Sequence, residues 1–119
     1  MKEARAFIPH ILDSINNIEL FMRDVSKGEF LKNREKQSAV IREIEIIGEA
    51  VKNLPLAVRK AHPDVPWIDI AGMRDKLMHH YFGVNLDTIW ETVKSDLPGL
   101  KTKIQSIRRE LEGASKEQS

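Results

Sequence analysis

From the N-terminal region onward, apolar residues recur at Phe7, Ile8, Ile11, Leu12, Ile15, Ile18, Phe21, Met22 and Val25. Steps of three and four place such residues on one side of an α-helix, which turns once every ~3.6 residues. The same stepping returns at Val40, Ile41, Ile44, Ile47, Val51 and Leu54, and again at Leu100, Ile104, Ile107 and Leu111. A helix with one apolar stripe must bury it against another element. No segment alternates with period two for long enough to make a half-buried strand. The pattern predicts an all-α fold, an antiparallel bundle of four main helices plus a short helix.

The expected helices run over about 4–26, 34–54 and 67–82, with a fourth that starts after a cap at Asn85 and is restarted or kinked by Pro98. A short piece, PLAVRKAH (55–62), has Pro55 suited to a first helical turn. Pro9 is tolerable if it too falls in a first turn. KGEF (27–30) reads as a break, with Gly28 as a C-terminal signal, and Gly83 as another. Gly48 lies inside the second long helix, where a close helix crossing would account for it. The chain of 119 residues suits one domain, placed at 1–112, with GASKEQS (113–119) as a flexible tail.

Hydrophobic residues make up 41% of the chain and charged residues 31%, a globular balance. No apolar run approaches the ~20 residues of a membrane span, and MKEARAFIPH lacks a signal-peptide core, so the expected location is cytoplasmic. The absence of cysteine excludes disulfides, thiolate zinc sites and a cysteine nucleophile. A net charge of +1 is not that of a protein held to nucleic acid by bulk electrostatics. DNA is not an expected partner, and any RNA contact must be local.

The chemistry-bearing stretch is GMRDKLMHHYFG (72–83). On an ideal helix with Arg74 at 0°, Ile70, Met73 and Leu77 fall on the core side, Tyr81 near Arg74, and Asp75 and His79 together on a flank about 140° from Arg74 at most. Asp75 and His79 are i,i+4 neighbours. A site using both Arg74 and His79 would lie in a groove on the helix flank, and would gain from a second copy of the helix across a two-fold axis. Gly72, without a side chain, would let a partner or a phosphate approach. Each residue also has an ordinary reading. Arg74 could pair with Glu45 or Glu49, His79 and His80 could favour the negative end of the helix, and Tyr81 could sit at the core edge. Adjacent histidines diverge by about 100°, so His79 and His80 do not make a metal site. Trp67 and Trp90 stand at apolar helical positions and read as core.

Arg74, four residues, His79, one residue and Tyr81 resemble the R-X4-H-X-Y motif of HepT-like toxins in the HEPN superfamily. IEIIGEAVKNLP (44–55), HPDVPW (62–67), IAGMRDKLMHHYFGVNLDTIWETV (70–93) and DLPGL (96–100) resemble that family's blocks in the same order. Asp75 stands where asparagine is frequent, and His80 fills a variable position. The resemblance implies a homodimer with a composite cleft and metal-independent cleavage of RNA, with no cofactor. It also implies a toxin role opposite an antitoxin, a nucleotidyltransferase of the MntA type that uses ATP to place AMP on Tyr81. Arg74, Asp75 and His79 would be the catalytic set. The residue chemistry agrees. Histidine can exchange a proton near neutrality, and an arginine fork can hold a phosphate bidentately. An alternative within the same superfamily is a non-catalytic, nucleotide- or substrate-binding subunit of a minimal nucleotidyltransferase. A purely structural helical dimerisation module is a third.

Overall fold

A computed structural model describes the backbone of residues 2–79 and 85–118, and side chains over 4–73 and 85–113. Among these residues the chain is all helix, without a strand. The elements are α1 (Lys2–Phe21), α2 (Lys27–Lys32), α3 (Arg34–Lys52), α4 (Leu56–Ala61), α5 (Trp67–His79), α6 (Leu86–Glu91), a π-helical turn (Thr92–Asp96) and α7 (Leu97–Gln118). The four long helices of the expected bundle are present as α1, α3, α5 and the α6–α7 arm.

The apolar stripes do what their spacing predicts. Ile8, Ile11, Ile15 and Ile18 of α1 meet Val40, Ile44, Ile47 and Val51 of α3, and Ile104 and Ile107 of α7 close the same core. α3 is the hub, packing against α1 on one side and α5 on the other, while α1 also packs against α7. Gly48 is buried on α3.

Four local expectations change. α1 ends at Phe21 rather than near residue 26, and the chain turns at Asp24, whose φ is 59°. An aspartate tolerates that left-handed geometry better than most residues with a side chain. KGEF is not a break but the start of α2, with Gly28 inside the helix. Ser26 caps it, its Oγ accepting from the Glu29 N–H at 3.1 Å, and Phe30 anchors it in the core at 0% exposure. Pro9 lies seven residues into α1, not in its first turn. There its missing N–H forfeits one bond, to the Arg5 carbonyl. Pro55 caps α4 from outside its first turn.

Asn85 caps α6 as expected, its Oδ1 accepting from the N–H groups of Asp87 and Thr88 at 2.9 and 3.2 Å. Pro98 stands at the start of the last helix, as one of the two expected readings had it. The π-helical turn precedes it, closed by the Leu97 N–H on the Thr92 carbonyl, and Pro98 sits in the first turn of α7. An α-helix would direct the residue-98 N–H at Lys94, and proline has none to give. α7 is helical through Gln118. Among the described residues no helix is long and apolar enough to cross a membrane.

Candidate active site

Arg74, Asp75 and His79 all lie on α5, an unbroken helix from Trp67 to His79. Continuity matters, because it lets helix geometry fix their relative bearing: Asp75 and His79 share a flank, and Arg74 lies about 140° from His79. The positions of their side chains, and of Leu77's, are outside the described residues, as are His80 and Tyr81 altogether.

What orients the helix is described. Trp67, the first residue of α5, is 7% exposed. Its indole Nε1–H donates to the carbonyls of His62 at 2.9 Å and Arg59 at 3.1 Å, so it ties the start of α5 to the end of α4. Ile70 and Met73 are half-buried against the core, which turns the Ile70–Met73 side inward. The opposite flank is open. Ile68 is 86% exposed, and a Cβ added at Gly72 would meet nothing within 4 Å. By helix geometry Ile68, Gly72, Asp75 and His79 fall within about 60° of one another. The flank that carries His79 is therefore not covered, at its described N-terminal end, by the rest of the chain.

Gly72 has no packing reason to be glycine in a single copy. Gly72→Ala is expected to raise stability by about 0.5–1 kcal/mol, because an exposed helical alanine loses less backbone entropy on folding. Urea unfolding measures this directly. A destabilised variant would mean that the open flank is closed by something else.

Among the described residues, two of the hollows are lined by residues of α5 or α3. One, of about 380 Å³, lies between α5 and the π-turn and first turns of α7, over a floor of Ile44 and Ile47. It meets α5 at Asp69, Ile70 and Met73, about 80–180° round the helix from His79 by ideal geometry. It is thus not a cleft for His79. The other, of about 340 Å³, lies between α1 and α3, bordered by Phe7, His10, Arg42, Glu45, Ile46, Glu49 and Ala50. Glu45 and Glu49, offered above as partners for Arg74, stand on this groove. His10 and Arg42 carried no signal in the sequence, because each is one polar residue on the outer face of a helix.

The tryptophans are not stacking platforms. Trp67 is core. Trp90 is half-buried against the core, with the Phe30 ring 5.9 Å away and Lys94 Nζ 4.8 Å from its centroid.

Comparison with known proteins gives the family of this helical domain. The chain belongs to the HepT-like ribonuclease family, whose model, described as "Ribonuclease HepT-like", matches residues 11–107. It is 46% identical over 103 residues to "Probable ribonuclease HepT" of Thermococcus cleftensis, covering 87% of this chain and 94% of that one. A protein of Methanocaldococcus jannaschii, named as a candidate RNase, is 46% identical over 112 residues, 94% of this chain and 93% of its own length. A similarly named protein of Caldanaerobacter subterraneus subsp. tengcongensis is 45% identical over 107 residues, 90% and 96% of the two chains. No solved structure matches.

Proposed function

We propose that this chain is the toxin of a two-component toxin–antitoxin pair, a homodimeric endoribonuclease that cuts RNA without a metal ion. The observation that carries the reading is an R-X4-H-X-Y set whose Arg74 and His79 share one continuous helix, in a chain of a ribonuclease family. In the reaction the RNA 2′-hydroxyl loses its proton and its oxygen attacks the adjacent phosphorus. The bond from phosphorus to the 5′-oxygen breaks, and that oxygen takes up a proton. The products are a 2′,3′-cyclic phosphate and a 5′-hydroxyl. One imidazole cannot be base and acid in the same event, and the His79 of each of two copies supplies the two roles. Arg74 holds the phosphate and stabilises the charge that builds on it. Asp75, one turn before His79, positions its ring.

The test is incubation of the purified chain with total cellular RNA in EDTA. Cleavage that leaves cyclic-phosphate ends supports the reading. No cleavage by a dimeric chain whose Tyr81 is unmodified by mass would shift the assignment to a nucleotide-binding subunit of a nucleotidyltransferase.

Tyr81 is the control point. A nucleotidyltransferase of the MntA type would transfer AMP from ATP to the Tyr81 hydroxyl, with release of pyrophosphate. The added anion then repels the RNA phosphate and occupies the cleft. Tyr81→Phe is expected to cut RNA as the unmodified chain does, and to resist silencing by ATP and the partner. Silencing of that variant to the wild-type extent would remove Tyr81 from the scheme.

A further inference from the structure

We propose that the groove between α1 and α3 is a guanine subsite for RNA. It rests on the ribonuclease reading only for the polymer involved. The groove has an apolar side and, in Arg42 and Glu45, two charged groups that face it without a partner among the described residues. Phe7 and Ile46 are half-buried and Ala50 is buried, which offers flat apolar surface to a base. Arg42 and Glu45 border the same groove one turn apart on α3. Among the described residues neither forms an ion pair or side-chain hydrogen bond, with each other or with any neighbour. The groove thus holds a half-buried carboxylate that lacks a donor and a guanidinium that lacks an anion.

A ligand that uses all three features has a planar apolar body, a donor edge and an anionic group, which describes a nucleotide. Single-stranded RNA is read in this manner, by stacking and by hydrogen bonds to Watson–Crick edges. The carboxylate selects the base. Guanine presents two adjacent donors, N1–H and the N2 amino group, matched to the two oxygens of Glu45. Adenine and cytosine set a ring acceptor beside their amino group, and uracil flanks its one N–H with two carbonyls, so each turns a lone pair towards the carboxylate. Arg42 takes the phosphate, which is common to all nucleotides and gives affinity without choice of base.

The experiment is a titration of the full chain with GMP, AMP, CMP, UMP and guanosine, read by amide chemical shifts. GMP is expected to bind about tenfold or more tightly than the other three nucleotides, the scale of one good bidentate pair. Glu45→Gln, checked for helical content, should lose that preference, because an amide offers one acceptor where the carboxylate offers two. Arg42→Ala should weaken all four nucleotides by a similar factor and leave guanosine unchanged. Equal binding of the four nucleotides, or an undiminished GMP preference in Glu45→Gln, overturns the subsite. Selective GMP binding by a chain that cuts no RNA would sustain the subsite and retire the ribonuclease reading.

Discussion

His79→Ala is expected to lower RNA cleavage by about 10²–10⁴-fold, the usual contribution of a positioned acid–base group. Cleavage of a defined RNA under single-turnover conditions measures it, with circular dichroism to show that the helices persist. Arg74→Lys should cost on the order of 10²–10³-fold although the charge is kept, since a point ammonium cannot reproduce the planar fork on a phosphate. His80→Ala is the control. The assignment gives it no role, so the rate should stay within a few-fold. Full activity in His79→Ala, or a collapse in His80→Ala alone, would reverse the assignment of the two histidines. Mixing His79→Ala with wild-type chains adds a further reading. If each cleft draws on two copies, heterodimers should be as impaired as the variant, and activity should fall faster than the wild-type fraction.

The long helices were legible because their stripes are long. Ile8, Ile11, Ile15 and Ile18 leave no competing period, and each proved fully buried. α2 was not legible by the same signal, since six residues hold only Phe30 and Leu31 as large apolar side chains. A different signal was present. Ser26 and Glu29 form the S-x-x-E capping pattern, and Ser26 Oγ meets both the Glu29 N–H and its carboxylate at 3.1 Å. Gly28 drew attention away from it, because a glycine after an apolar stripe resembles a helix stop. The site divides in the same manner. The bearing of Arg74 relative to His79 follows from one helix and could be read from spacing. The α1–α3 groove depends on which faces of two distant helices meet, so Arg42 and His10 acquired a neighbourhood only in the fold.

The second large effect concerns that overlooked helix. Phe30→Ala is expected to destabilise the chain by about 3–5 kcal/mol, the usual cost of emptying a buried phenylalanine site. A six-residue helix is far below the ~12–15 residues at which isolated helices become even marginal in water, so α2 depends on its anchor. Phe30 is 0% exposed and its ring lies 5.9 Å from that of Trp90. Its carbonyl accepts from Gln37 Nε2 at 2.9 Å, which fastens α2 to α3 as well. Leu31, next to it but 38% exposed, should cost under about 1 kcal/mol as alanine, because little area returns to water. Urea unfolding followed by fluorescence resolves the pair, and Trp90 reports from beside the cavity. Domains of this kind have only ~5–15 kcal/mol in total, so the Phe30 variant forfeits a large share. Because Trp90 belongs to α6, the element that follows the motif helix in the chain, a loosened α2 should also lower cleavage without touching a catalytic group. Equal stability of Phe30→Ala and Leu31→Ala would show that α2 is dispensable to the core.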